Sequence, residues 1–163
     1  MAKIKEQALY DDILTMLATI KTTNQYASGK YYESNIGNFV NDWADVPISD
    51  DETEKMIVED AEINYDDQQE NSGDHKVSHT YTVRLFLAKT TTTLADLRKA
   101  QRDLRRCIGA NILTLIAKYH AIAFKPITLV KGFEKGERTR GGLVFRFSVE
   151  WSQEKWLIDE PEY

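Results

Sequence analysis

The sequence predicts an α+β domain, with two main helices packed on one face of a mostly antiparallel sheet. Three observations support this prediction. Residues 79–87 alternate between bulky, mostly apolar side chains and mostly polar ones, which is the period of a strand with one buried face. Residues 94–108 then carry apolar side chains at spacings of three and four, the period of an amphipathic helix. Residues 143–151 return to alternation and predict a second strand.

Length and composition favour one folded domain. With 163 residues the chain is long enough to bury a core, and 42% apolar residues with 10% aromatic ones exclude a disordered protein. No window approaches about eighteen consecutive apolar residues, and residues 1–10 lack a signal-peptide core. We therefore expect a product made in the cytosol that has no membrane contact.

The first third of the chain predicts one helix and one strand. Residues 4–21 form the first core helix, because Leu9, Ile13 and Leu17 recur at a spacing of four. Residues 30–43 are rich in aromatic side chains but are interrupted by glycine and asparagine. That composition favours a hairpin or an irregular strand, and we expect an early strand near residues 36–40.

A strand and an acidic hairpin follow. Residues 55–65 favour a strand whose alternation is imperfect, and Met56, Val58 and Ile63 share one face only if a bulge corrects the register. Residues 66–76 contain no apolar residue. We therefore expect an exposed acidic hairpin at about residues 64–77.

The second helix has a recognisable start. Thr93 is suited to cap it, and Asp96 follows three residues later, where a carboxylate meets the positive end of the helix dipole. The apolar stripe continues to about Tyr119, with a weak point at Gly109. The stripe that should hold the domain together consists of Leu94, Leu97, Leu104 and Ile108.

The last part of the chain predicts a short strand, a loop, a long strand and a tail. Pro126 forces an extended or turned backbone before a short strand at residues 127–130. Residues 131–142 hold four glycines and several basic residues, which favours a flexible loop. After the strand at residues 143–151, the C-terminal tail 152–163 either packs back on the domain or projects to a partner.

The single cysteine, Cys107, cannot form an internal disulfide. It lies in the second helix beside Arg105 and Arg106. One interpretation is a buried small side chain. The other is a reactive thiol whose pKa is lowered by the two arginines.

No coherent catalytic pattern is present. The sequence contains no Walker loop, dinucleotide fingerprint, zinc pattern or nucleophile elbow. The residue types that bind metals are present in one region, at His75, His79, Asp66, Asp67 and Asp74. Their spacing lacks the i, i+4 helical placement or tight turn that fixes the geometry of a metal site. Carboxylates that resemble scattered nuclease ligands are Glu59, Asp60, Glu62, Glu150 and Glu154. We expect neither an enzyme nor a bound cofactor.

The charge distribution is uneven and suggests an interface. The net charge is −5, but residues 50–74 carry eleven acidic residues and one lysine, whereas basic residues predominate in residues 75–146. The candidate acidic surface comprises Asp50, Asp51, Glu52, Glu59 and Asp60. The candidate basic surface is the outer side of the second helix, with Arg98, Arg102, Arg105, Arg106 and Lys99, interrupted by Asp103.

Three interpretations of the basic surface stay open. It is an ordinary solvated helix face with Asp103 paired locally, a contact for an acidic surface of another copy, or a contact for nucleic acid. The glycine-bearing loop is a second candidate contact, to DNA phosphates or to a protein partner, and its alternative is a solvated hairpin. Its basic residues are Lys131, Lys135, Arg138 and Arg140.

The order of elements resembles the tail terminator proteins of long-tailed bacteriophages. The matching segments are the first helix around Leu9 to Ile20, the strand His79 to Leu87 and the closing strand Gly141 to Trp151. Asp96 and Asp103 match the acidic pair of the second helix in that family. The acidic insertion and the long second helix depart from the shorter members.

The resemblance implies a structural virion protein that assembles in the host cytoplasm and resides at the junction of tail and neck. It would form a ring, usually a hexamer, that ends tail-tube polymerisation and offers a docking surface to the head-neck connector. Its partners would be its own copies, the tail-tube protein and the connector, with DNA only passing through the ring. The alternatives are another neck or tail protein, such as a head-completion or tail-tube subunit, a small metal-dependent nuclease, and a generic cytosolic binding module.

Overall fold

The computed structural model describes residues 5–42, 54–66, 74–87, 94–134 and 140–154. Two α-helices, one 3₁₀ helix and seven strands lie in these ranges. In chain order they are α1 (Lys5–Ala18), β1 (Gln25–Ala27), β2 (Lys30–Tyr31), the 3₁₀ helix (Ile36–Phe39), β3 (Val40–Asp42), β4 (Lys55–Asp66), β5 (Asp74–Leu87), α2 (Leu94–Tyr119), β6 (Ala123–Glu134) and β7 (Arg140–Glu154).

The main sheet has five strands in the order β3-β4-β5-β7-β6. The short β3 is parallel to β4, and every other neighbouring pair is antiparallel. β1 and β2 form a separate two-stranded ribbon. The predicted α+β class with a mostly antiparallel sheet is therefore confirmed.

Both helices cover one face of the sheet, which we call the inner face. Alternate residues of β5 and β7, such as Val83 and Phe145, are buried there in one apolar cluster with residues of α1 and α2. The Tyr10 hydroxyl of α1 donates a hydrogen bond to the Val58 carbonyl of β4 at 2.9 Å, whereas α2 contacts β6 and β7. α1 therefore covers the β3-β4 half of the sheet and α2 covers the β7-β6 half.

The opposite, outer face carries the intervening polar side chains, among them Arg84 and Arg146. A bulge between Glu59 and Glu62 shifts the register of β4, as the imperfect alternation predicted. Beyond the bulge Ile63 pairs with His79 and returns to the inner face, but it is 37% exposed.

The early strand expected near residues 36–40 is wrong, because residues 36–39 form a 3₁₀ helix and a strand begins only at Val40. The cause is the close approach of Gly37 to the end of α1. Its amide donates to the Ile20 carbonyl at 2.9 Å, and a Cβ atom at this position would lie only 2.7 Å from the Ala18 carbonyl oxygen. Only glycine allows the turn to close there.

The flexible loop predicted over residues 131–142 is also wrong in its extent. β6 continues to Glu134 and β7 begins at Arg140, and Gly132 pairs with Gly142 across the hairpin. Gly141 is useful in a strand because a Cβ atom there would lie 3.0 Å from the Leu97 side chain of α2. Gly141 therefore serves close packing, which composition alone does not distinguish from loop flexibility.

Strands likewise extend into two other predicted irregular regions. β4 ends at Asp66 and β5 begins at Asp74, so both strands extend into the hairpin expected at residues 64–77. β7 extends to Glu154, inside the predicted tail 152–163. Residues 67–73 and 155–163 lie outside the described residues.

The second helix agrees with its prediction along its length. α2 runs without a break from Leu94 to Tyr119, and Gly109 is exposed with no neighbouring atom near its Cβ position. Leu97 and Leu104 are fully buried, but Leu94 is 40% exposed and does not hold the core. The expected cap, Thr93, lies outside the described residues.

Candidate assembly surface

Two of the four arginines predicted for the interface are engaged within the chain. The Nε of Arg102 donates to Glu33 Oε2 at 2.9 Å, and Arg106 Nη1 donates to the same oxygen at 2.8 Å. The Arg106 guanidinium also lies 5.0 Å from the centre of the Tyr26 ring. The hydrogen bond from Arg102, together with Arg106, lowers the pKa of Glu33. Arg102 and Arg106 therefore attach the segment before the 3₁₀ helix to α2.

Asp103 is the centre of this attachment. Its side chain is fully buried and accepts hydrogen bonds from the Glu33 amide at 2.8 Å, the Ser34 hydroxyl at 2.7 Å and Arg106 at 3.1 Å. A buried carboxylate is costly unless it is paired and hydrogen-bonded, and here both conditions hold. Asp103 therefore pairs locally, as the first interpretation of the basic surface predicted, but it is buried and does not lie on an exposed face.

Arg98, Lys99 and Arg105 are the basic residues of α2 that remain exposed with no ion pair to any part of the chain that the structure describes. Arg98 and Arg105 are seven residues apart, so they share one side of the helix at about 100° per residue. We call these three residues the basic patch.

Arg98 and Arg105 of the basic patch face away from α1. Cys107 and Lys118 mark the opposite side of α2, because the Cys107 thiol donates to the Met16 carbonyl at 3.2 Å and Lys118 Nζ lies 2.6 Å from an Asp12 carboxylate oxygen of α1. Arg98 and Arg105 lie nearly half a turn from that side. Since α2 covers the β7-β6 half of the sheet, they lie on the side of β6, the last strand.

The acidic candidates are only partly described. Asp50, Asp51 and Glu52 lie outside the described residues. Glu59 Oε1 accepts a hydrogen bond from Arg84 Nε at 2.9 Å on the outer face. The Asp60 backbone carbonyl bonds His79 Nε2 at 3.0 Å within the bulge of β4. The described chain thus neutralises Glu59 internally.

Other candidate carboxylates on the outer face also have basic partners. Glu62 pairs with Arg146 at 2.9 Å. Glu150 is 8% exposed and lies between Lys76 at 3.1 Å and Lys125 at 2.9 Å. Burial would raise the pKa of Glu150, but the two lysines more than offset it and the pKa falls below its ordinary value. This pairing gives the outer face a row of alternating charges.

The candidate contact loop is described only at its two ends. Lys131 belongs to β6, where it pairs with Leu143, and Arg140 opens β7 opposite Glu134. Lys135 and Arg138 lie outside the described residues. What was expected to be a free loop is, over these positions, the base of a paired hairpin.

His79 is a core residue. It is 1% exposed, its Nδ1 lies 3.1 Å from the Tyr81 hydroxyl, and its ring meets the edge of Trp151 with centres 6.0 Å apart. Burial lowers the pKa of His79. Within the described ranges no three His, Cys, Asp or Glu residues are grouped as metal ligands would be.

Cys107 is fully buried, which confirms the first interpretation. Burial raises the pKa of its thiol to about 11, so the alternative of a reactive thiol with a lowered pKa is wrong.

The chain matches no family model and no curated protein. Among the described residues, neither helix combines the length and apolar character needed to cross a membrane.

Proposed function

We propose that this protein is a structural component of a bacteriophage virion, a tail terminator that assembles as a ring and ends polymerisation of the tail tube. The observation that carries the proposal is the basic patch of Arg98, Lys99 and Arg105. These cations project from a rigid helix of an acidic chain whose net charge is −5. A basic patch that no described residue neutralises, on a chain of opposite net charge, favours association with other copies of that chain.

The architecture agrees with what the resemblance implies. A first helix precedes a strand pair, the long strand β5 leads into α2, and the hairpin β6-β7 closes the sheet. Because both helices lie on one face, each subunit has two chemically different faces. Rings use heterologous contacts between different patches of successive subunits, and this asymmetry suits such contacts.

Association alone would perform the function. One end of the ring would bind the last layer of tail-tube protein and cover the surface on which the next layer would add. The other end would bind the head-neck connector, and DNA would only pass through the opening. The predicted contact residues Lys131, Lys135, Arg138 and Arg140 would belong to the tube-facing or neck-facing end. The virion neck is the proposed location, and six the proposed copy number.

The test is growth of purified tail-tube protein in the presence of this chain, with tube lengths measured by negative-stain electron microscopy. Shorter tubes with a density capping one end support the proposal. A protein that forms long tubes by itself would instead be a tail-tube subunit, and unchanged tube lengths would refute a terminator.

A charge-reversal pair tests the basic patch in the same assay. The double variant Arg98→Glu and Arg105→Glu should require at least about tenfold more protein to cap tubes, because two attractive contacts become repulsive. The control is Lys21→Glu with Lys30→Glu, which changes the net charge equally at two positions outside α2 and should behave as the natural protein. Equal capping by both variants would show that the patch takes no part in assembly.

A further inference from the structure

The sheet has two open edges within the described part of the chain. β6 pairs only with β7, and β4 beyond Val58 pairs only with β5. Pro126, which lacks an amide donor, and the irregularity beside it limit the usable edge of β6 to residues 128–134. The bulge limits the usable edge of β4 to residues 62–66. Open edges of this kind are templates for a strand of another chain.

The directions of the two edges suit a ring. β4, β5, β7 and β6 are successive antiparallel neighbours, so the first and the last of these four strands run in opposite directions. Subunits related by rotation about a ring axis keep the same orientation along the axis. When β6 of one subunit lies beside β4 of the next, the two strands are therefore antiparallel, and the sheet continues without a change of pattern.

Exposed apolar side chains lie at both edges. On β4, Ile63 is 37% exposed and Tyr65 is 59% exposed, at inner-face positions opposite His79 and Val77. On β6, Val130 is 57% exposed on the outer face, opposite Val144. Joining the edges would place a neighbouring strand beside Ile63 and Tyr65 on the inner face and beside Val130 on the outer face, and exposed apolar side chains are costly to leave in water.

Charge supports a second copy as the neighbour of the β6 edge. Arg98 and Arg105 of α2 lie on its inner side with no ion pair to a described residue. Glu62 of the β4 edge lies on the outer face and is paired with Arg146, so it does not add to this contact. A basic edge on a chain whose net charge is −5 favours association with another copy of that chain.

We propose that the partner of the β6 edge is the β4 edge of a second copy of this chain, so that the sheets of neighbouring subunits join edge to edge around the ring. This inference depends on the proposed function only in assuming that the protein forms a ring. It specifies that residues 128–134 of one copy and residues 62–66 of the next exchange backbone hydrogen bonds.

Hydrogen–deuterium exchange compares the assembled protein with a sample diluted to monomers. Outward-facing amides of residues 128–134 and 62–66 should exchange at least about tenfold more slowly in the assembly, because a hydrogen-bonded amide exchanges only when its strand opens. Protection of both edges supports the proposal. Protection of β6 alone would indicate symmetric β6-β6 dimers and overturn it. Assembly without protection at either edge would overturn it while leaving the ring, and failure to assemble would count against the proposed function as well.

Three variants separate charge from loss of an apolar side chain. Val130→Glu places a carboxylate on the outer face of the joined sheet, the face that carries Glu62 of the next copy, and should raise the concentration for half-assembly roughly two- to fivefold, the usual effect of like charges across strands. Val130→Lys should have little effect or strengthen assembly. The control Leu113→Glu changes a side chain of α2 that is 77% exposed and should leave assembly unchanged. Equal effects of Glu and Lys at position 130 would contradict the pairing.

Discussion

Replacing Gly37 by alanine is expected to destabilise the monomer strongly, because three backbone oxygens surround the position of the new methyl group. A Cβ atom there would lie 2.7 Å from the Ala18 oxygen and 2.8 Å from those of Leu17 and Ile20. None of these atoms is the end of a flexible side chain. The 3₁₀ helix would have to move away from α1 and lose the 2.9 Å hydrogen bond from the Gly37 amide to Ile20.

The magnitude follows from these two losses. A lost hydrogen bond of this kind costs about 1 kcal/mol, and forced overpacking costs about 1–3 kcal/mol. The free energy of unfolding should therefore fall by about 2–4 kcal/mol. For a chain of this size that corresponds to a decrease in Tm of roughly 5–15 °C.

Gly109→Ala is the matched control, since it adds the same methyl group where nothing lies within 4 Å of the Cβ position. In the interior of an exposed helix, alanine is more favourable than glycine by about 1 kcal/mol, so this variant should gain stability. Urea unfolding of both variants, followed by circular dichroism at a concentration where the protein is monomeric, measures the difference. Equal and small changes would refute the close approach of the 3₁₀ helix to α1.

Three further predictions concern buried polar groups. Asp103→Ala should lower the free energy of unfolding, measured by urea titration, by about 3 kcal/mol, because it leaves the Ser34 hydroxyl and a backbone amide without their acceptor. The control Arg98→Ala should change the free energy of unfolding by less than about 0.5 kcal/mol. Burial lowers the pKa of His79 in the folded protein below the ordinary value of about 6.5, so the unfolded chain binds the proton first. The free energy of unfolding should therefore fall as the pH decreases from about 6.5 through the folded pKa. The variant His79→Gln should remove that part of the pH dependence, and an unchanged pH dependence would count against a buried neutral imidazole. Cys107 should react with a chromogenic thiol reagent at pH 8 only after the protein unfolds. Its pKa of about 11 in the folded protein leaves about one thiol in a thousand ionised at that pH. Rapid reaction of the native protein would contradict the burial of Cys107.

Periodicity predicted the long helices and strands correctly because each of them buries one face and exposes the other. β5 and β7 alternate over most of their lengths, and α2 carries its apolar stripe from Leu97 to Tyr119, so each local pattern already contains the relevant information. The bulge of β4 could also be predicted, since only a one-residue shift brings Ile63 to the face of Val58.

The extension of β6 and β7 into the predicted loop could not be predicted, because its stability comes from pairing between the two strands. Gly132 reads as a loop residue by composition, yet it lies in a paired strand opposite Gly142. Likewise, nothing local to Gly37 shows that it approaches the end of α1. A contact with another segment decides the conformation in both cases, strand pairing at Gly132 and close packing at Gly37.

The candidate surface was predicted in part. Arg98 and Arg105 remain exposed as the helical period suggested, but Arg102 and Arg106 are neutralised by Glu33, a residue 69 and 73 positions away in sequence. The sequence prediction missed Glu33 because no local signal links it to α2. The open edge of β6 was missed for a related reason, since an edge is defined only once the strand order is known.

The most direct test of the central proposal is the mass of the purified natural protein in solution, measured by light scattering across a hundredfold range of concentration, with electron micrographs of the heaviest species. A closed ring predicts one limiting mass that is a whole-number multiple of the chain, about sixfold, together with annular particles. A chain that stays monomeric throughout the range, in the presence and absence of tail tubes, would contradict the account.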